Sequence, residues 1–331
     1  MTSAATPKVS VLVPCYNAAP YIADALDSIL AQTWPDIEII VVDDGSTDGS
    51  AGIVEGYATR DVRLIRERNA GQCAAANRAF FASTGDYIKF FDADDLMTPD
   101  MIERQMTRLG GRRDAVALGE WARFYGDDAE AAVFEALPMY RDAVPSDWLA
   151  QEWSNARPMM QCALWLIPRE LLNRSGLWDE RLSLINDFEF ITRVTLSARE
   201  ILFAPGARLY YRSGVPGSLS GRKSRVAVES AFLSVTLATQ HLLDAENSPR
   251  TRRACANILQ EFDYLYYPEH ADLRAKTRSR VAELGGADLA PDGPPGFQKL
   301  RRAIGWRAAR RVQRLAERLR LTSTSRARLM P

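Results

Sequence analysis

The chain reads as an α/β protein: a Rossmann-like, mostly parallel sheet flanked by helices, followed by a C-terminal helical extension. Three observations predict this. Apolar, β-branched runs at 8–13, 37–42, 62–65 and 87–91 alternate with helix-forming segments, at about 25–30 residues per unit as in successive βαβ crossovers. These runs show little polar alternation, as expected of strands buried on both faces. The first, second and fourth end in polar or acidic clusters: Pro14-Cys15-Tyr16-Asn17, Asp43-Asp44-Gly45-Ser46 and Asp92-Ala93-Asp94-Asp95. In open α/β sheets that carboxyl edge is where ligands bind.

The elements follow in order. After the first strand, Pro20 suits the first turn of a helix, and Ile22, Leu26, Ile29 and Leu30 recur at helical spacing. A short helix through Ile53, Val54 and Tyr57 leads to the third strand. Asn69-Ala70-Gly71 then opens a helix of small residues that permits close approach to a sheet, and Gly85 ends it. The fourth run stops at three carboxylates within four residues. Such a cluster reads either as a solvated turn or as a site for a hard cation such as Mg²⁺ or Mn²⁺. Residues 115–125 and 207–212 read as strands, 162–167 as a further strand, and 168–175 as a short helix. Residues 213–224 form a Gly/Ser-rich stretch suited to a lid. From 225 the pattern becomes helical, interrupted by the linker-like GGADLAPDGPPG at 285–296.

Composition narrows the function classes. With 47% apolar and 25% charged residues in 331, the chain has the make-up of a globular protein with a sizeable core. Its zero net charge hides an asymmetry: 298–331 carries Lys299 and ten arginines against Glu317 alone, leaving the rest acidic. Leu300, Ile304, Ala308, Val312, Leu315 and Leu319 fall on one side of that tail, which reads as one basic amphipathic helix suited either to an anionic membrane surface or to docking on the body through that stripe. Aromatic residues there are limited to Trp306 beside Phe297, so no nucleic acid is expected. The four scattered cysteines form no CxxC pair, no run approaches the length of a membrane span, and no apolar leader precedes Lys8. A cytoplasmic location is expected, peripheral on the inner face of a membrane. No G-x-G-x-x-G or P-loop pattern is present.

VSVLVPCYN, VVDDGSTDGS, the 69–79 segment, TGDYIKFFDADD and GLWDERL followed by NDFEF together resemble the family-2 glycosyltransferases of the GT-A fold, over about residues 8–212. The resemblance implies a metal-dependent, inverting transferase. It would move one sugar from a nucleoside-diphosphate donor, most simply a UDP-sugar, to the hydroxyl of a glycan or lipid-linked acceptor in cell-envelope synthesis. It implies that Pro14, Tyr16, Asn17, Asp44 or Asp43, and Asn69 hold the nucleotide, and that Asp92-Ala93-Asp94 is the D-x-D motif. Asp92 then meets the ribose, while Asp94, with Asp95, ligates Mn²⁺ or Mg²⁺. The catalytic base is Asp187, in a position that also suits a helix N-cap. Asn186 stands where the family carries Glu, a departure that bears on the base's pKa or on acceptor contacts. Trp178, Asp179, Glu180 and Asn186 are acceptor candidates, and Arg212, Ser218 and Ser220 are diphosphate or lid candidates. The implied domains are 1–224 (nucleotide-sugar half about 8–125, acceptor half about 126–224), a helical extension at 225–284, a linker at 285–297 and the tail at 298–331. The alternative reading is a catalytically silent sugar-nucleotide-binding or scaffolding protein.

Overall fold

The computed structural model describes residues 6–215 and 224–327, so Ser218 and Ser220 lie outside the described residues. It divides into two compact units, 1–152 with 158–247, and 153–157 with 248–331.

The first unit holds an eight-stranded sheet in the order β3-β2-β1-β4-β7-β6-β8-β5. Strands β1 (Val9–Cys15), β2 (Ile37–Asp43), β3 (Val62–Arg66) and β4 (Tyr87–Phe90) are parallel. The chain winds outward from β1 to β3 and then crosses back to β4. The topological switch therefore lies between β1 and β4, where the acidic segments converge. Val11, Leu12, Val41, Val42, Ile88 and Phe90 are buried, as two-sided burial requires. Gly85 does more than end a helix. A Cβ there would fall 2.4 Å from Ser10 Oγ, and its N–H instead donates to Ser10 Oγ and Glu38 Oε1, each at 2.8 Å.

Helices α1 (Ile22–Leu30), α2 (Ser50–Glu55), α3 (Gln72–Ala82) and α4 (Met101–Leu109) fill the crossovers. Ala75, Ala76 and Ala79 let α3 lie close on β1 and β2. β5 is the two-residue strand Leu96–Met97, too short to announce itself in sequence. β6 (Ala115–Tyr125) runs parallel to β8 (Glu200–Ser213).

The strand expected at 162–167 is only partly one. Cys162–Leu164 forms a 3₁₀ turn, and β7 (Trp165–Pro168) begins after it, antiparallel to β4 and β6. Buried side chains hold the turn in place of a strand ladder. Fully buried Lys89 donates through Nζ to Ala163 O (2.7 Å) and Gln105 Oε1 (3.0 Å), and Gln105 Nε2 donates to Leu164 O (2.8 Å).

Three more helices precede the last one of this unit: α5 (Pro145–Glu152), α6 (Arg169–Ser175) and α7 (Asn186–Ser197). α8 (Arg225–Ala245) is long and apolar enough, at a mean hydropathy of 1.3, to cross a membrane by length and composition alone. In the structure more than half of that stretch is buried. Its Ser230 and Ser234 hydroxyls bond the chain leading into α7, and His241 Nε2 lies 3.0 Å from Glu189 Oε1.

The second unit contains α9 (Pro249–Leu265), α10 (Ala271–Glu283) and α11 (Pro295–Ala327). Buried Asp263 lies 2.8 Å from Arg274 and 2.9 Å from Arg278. α11 is not the single helix expected, because Gly305 breaks it at φ 77, ψ 157. Beyond the break, Trp306 packs edge-on against Tyr264 and Tyr267, and Ala309 is buried. Arg310 and Arg314 donate to the carbonyls of Asp292 and Leu265. The expected apolar stripe points outward: Ile304, Val312 and Leu315 are 50%, 46% and 59% exposed.

Candidate active site

The site begins with the chain leaving β4. Asp92 accepts from Gln72 Nε2 at Oδ1 (3.0 Å) and from Gln161 Nε2 at Oδ2 (3.1 Å). Gln161 Nε2 also reaches Asp95 Oδ2 (2.8 Å), while its Oε1 accepts from Ala163 N (2.7 Å). That second bond fixes which end of the amide faces the acids. Asp95 Oδ1 takes the backbone N–H of Arg212 at 2.8 Å. The carboxylates are thus held by neutral donors.

Their protonation follows. Burial, then the neighbouring Asp92, pushes Asp94 up to about 7. Burial raises Asp92, and burial followed by Asp94 and Asp92 raises Asp95 well above the carboxylate range. Asp187, in the first turn of α7, is pushed up to about 8 by burial and then by Asp92. It bonds to Cys162, and its Oδ1 is shut off from solvent with no partner. α7 starts at Asn186 with Ile185 as its cap residue, so Asp187 is not the cap. Glu189 points elsewhere, paired with Arg193 at 2.6 Å and with His241.

Asn186 serves the frame: its Nδ2 donates to Gln72 Oε1 (3.1 Å) and Cys73 Sγ (3.2 Å). Gln72 therefore links α7 to Asp92. Burial, rather than a missing neighbour charge, dominates the pKa of Asp187.

The nucleotide-side residues divide. Asp44 accepts from Ala70 N (2.7 Å) and Gly71 N (2.9 Å), and its carbonyl accepts from Asn69 Nδ2 (2.9 Å). Asp44 and Asn69 therefore brace the loop before α3. Asp43 Oδ1 is buried without a partner and is the acceptor left available. Pro14 sits in β1 beside Val42. Asn17, at φ 49, donates its N–H to Ser46 Oγ and accepts from Thr47 N, joining the first two loops. Tyr16 is 47% exposed at that edge, so core packing does not account for it.

The other candidates are placed as follows. Trp178 stacks on Phe190 at 3.9 Å and meets Phe90 edge-on at 5.3 Å, inside the core. Asp179 is forked by Arg181, and Glu180 accepts from Asn77 Nδ2. Arg212 lies in β8, not in a lid. It is buried between Tyr21 and Phe124, donating Nε to Asp94 O (2.8 Å) and Nη1 to Asp127 Oδ1 (3.1 Å). Its guanidinium anchors the acidic loop. Ala93, within that loop, is buried. Gln72, Gln161 and Cys162 were missed by sequence reasoning. The available signal was a lone polar residue in the apolar run MMQCALWLI.

Among the described residues no three metal-ligating side chains form a cage. The donors nonetheless fit a hard cation. Mg²⁺-type ions take one or two carboxylates and complete their shell with phosphate and water. Burial outweighs the partial offset that Arg212 gives Asp94 and Asp95, so a cation would supply further compensating charge there.

Residues 10–175 match the family described as Glycosyl transferase family 2. The chain belongs to that family. The Escherichia coli (strain K12) glycosyltransferase YibD is 44% identical over 104 residues, 31% of this chain and 30% of that protein. The putative teichuronic acid biosynthesis glycosyltransferase TuaG of Bacillus subtilis (strain 168) is 42% identical over 103 residues, 30% and 41% of the two chains. The matched stretches thus span well under half of these relatives. Staphylococcus aureus TarS 1-349 superposes with a TM-score of 0.65 at 18% identity, covering 93% of this chain and 92% of its own. The same protein in complex with UDP-GlcNAc gives 0.59 at 20%, covering 84% and 89%. The mannosyltransferase PcManGT of Pyrobaculum calidifontis, in complex with GDP-Man and Mn²⁺, gives 0.50 at 20%, covering 95% and 81%. These likenesses establish a GT-A-like fold.

Proposed function

We propose that this family-2 chain is a metal-dependent, inverting glycosyltransferase. It would transfer one sugar from a UDP-sugar to a hydroxyl of a glycan or lipid-linked acceptor, in cell-envelope polysaccharide synthesis. The observation that carries this is the convergence of half-buried Asp92, Asp94 and Asp187 with buried Asp95 at the switch point, where side-chain amides hold Asp92 and Asp95. The UDP-GlcNAc complex of TarS, the Mn²⁺ complex of PcManGT and the teichuronic acid role in TuaG's name support it.

In this reading Asp43 Oδ1 accepts the uracil N–H and Tyr16 stacks on the base. Asp92 meets the ribose, and Asp94 with Asp95 would hold Mn²⁺ or Mg²⁺ together with the diphosphate. Bound there, the cation supplies charge neutralisation for the departing phosphate. Asp187 takes the acceptor's proton as the new C–O bond forms and the sugar–phosphate bond breaks with its electron pair leaving on the diphosphate. A pKa near 8 suits a base that must accept and then release a proton near neutrality. The outward apolar stripe of α11, flanked by exposed Arg302, Arg307 and Arg311, supports a cytoplasmic protein docked on an anionic membrane face.

The test is a nucleotide-sugar panel with Mn²⁺, scored for turnover in the native chain and in Asp187→Asn. The reading expects one UDP-sugar to be consumed and Asp187→Asn to lower transfer at least about a hundredfold with donor affinity nearly unchanged. Donor binding without turnover in the native chain would leave a silent binder. Near-native transfer by Asp187→Asn would remove the base.

A further inference from the structure

β6 and β8 run in register with Trp121 opposite Leu209, Arg123 opposite Tyr211 and Tyr125 opposite Ser213. Strand alternation puts Trp121, Arg123, Tyr125 and Tyr211 on one face. Phe124 and Arg212 lie on the other, stacked on one another. Trp121 and Tyr211 meet edge-on at 6.4 Å, and the exposed Arg123 guanidinium lies 5.9 and 5.8 Å from the two rings. No carboxylate among the described residues pairs with Arg123 within ion-pair distance, whereas most arginines of this unit have one. Trp121 Nε1, a donor only, is shut off from solvent without a partner. Tyr125, two residues beyond Arg123, is exposed.

This face adjoins the reacting centre. Arg212, the residue after Tyr211 on β8, donates its backbone N–H to Asp95 Oδ1 at 2.8 Å, and the Tyr211 phenol is pushed up by burial and then by the four acids. Nothing in the donor reading uses these residues.

We propose that Trp121, Arg123, Tyr125 and Tyr211 form an acceptor subsite for an anionic glycan, an inference that rests on the transferase reading above. Aromatic faces suit the C–H faces of sugar rings. A guanidinium fixed beside two rings suits a carboxylate or phosphate. The four acids repel an anion at the reacting hydroxyl, so the acceptor's charge belongs away from them, at Arg123. Uronate and phosphodiester backbones share this chemistry.

Calorimetric titration of the full chain with tetragalacturonate, a glycerol-phosphate tetramer and cellotetraose, each with and without UDP and Mn²⁺, tests the proposal. At low salt at least one anionic probe is expected to bind about tenfold tighter than cellotetraose, and Arg123→Gln to erase that preference. The arm that responds separates carboxylate from phosphate. Arg123→Gln should keep native UDP affinity, since it lies outside the donor site. Equal affinity for the neutral probe, or an unchanged preference in Arg123→Gln, overturns the subsite. Absence of UDP binding in the native chain would instead sink the donor reading, while the probe titrations without UDP still judge this one.

Discussion

The two units bury acidic side chains in opposite ways. In the helical unit, Asp263 is surrounded by Arg274 and Arg278 at 2.8 and 2.9 Å, so each charge has a partner. At the sheet edge, Asp92 and Asp95 face side-chain amides and Asp187 a thiol, while buried Arg212 bonds a carbonyl of the acidic loop, pairs with Asp24 and Asp127, and only partly offsets the charge of Asp94 and Asp95. A paired buried acid is part of the frame. Unpaired ones cost stability and persist where a ligand supplies the missing charge.

The contrast predicts opposite responses to removing an acid. Asp263→Ala leaves two arginines facing each other, one of them buried, and should destabilise the helical unit by about 3–5 kcal/mol in denaturant titration. Asp92→Asn should leave the sheet unit's stability unchanged or raise it by about 1 kcal/mol while weakening donor binding. Equal losses in both units would erase the distinction.

Lys89 sharpens the comparison, because it is a buried cation without an acid. Burial pulls it down to about 7, against about 10.4 in an unfolded chain. Between those values the unfolded chain holds one proton more, so stability rises with pH. The penalty is complete below about 7 and is relieved as pH climbs toward 10. Lys89→Met should flatten the pH dependence by about 1.4 kcal/mol per pH unit between roughly 7.5 and 9.5. An unchanged slope would mean that Lys89 stays charged in the fold.

The smallest expected effect concerns α11, where pairing is replaced by outward arginines. Replacing Val312 and Leu315 together by Gln should weaken sedimentation with anionic vesicles about tenfold at low salt, leaving turnover of a soluble acceptor intact. Failure of the native chain to sediment would assign the stripe to another partner or to none.

How far the sequence carries depends on what each residue type announces. Asp92, Asp94 and Asp95 were readable because an apolar run stops at them, and Asp187 because it opens an amphipathic helix in a known motif. Gln72 and Gln161, which aim those acids, carry no charge and no periodic signature. CALWLI is apolar in either strand direction, so neither its 3₁₀ start nor its antiparallel course is written in composition. Asp44 was legible as an acid at the right edge, yet only the fold brings Ala70 and Gly71 onto its oxygens. In the tail, helical spacing continues through Gly305, which hides the break. The apolar stripe was real, but arginine-to-carbonyl bonds turn it toward solvent.

The central claim is that the unpaired acids at the switch point await a cation and a diphosphate together. Calorimetry of UDP binding to the native chain and to Asp94→Asn, with Mn²⁺ and with EDTA, tests it most directly. The account predicts tight binding for the native chain in Mn²⁺, loss of about a hundredfold or more in EDTA, and little response to Mn²⁺ in Asp94→Asn. UDP affinity in the native chain that ignores both EDTA and the substitution would contradict it.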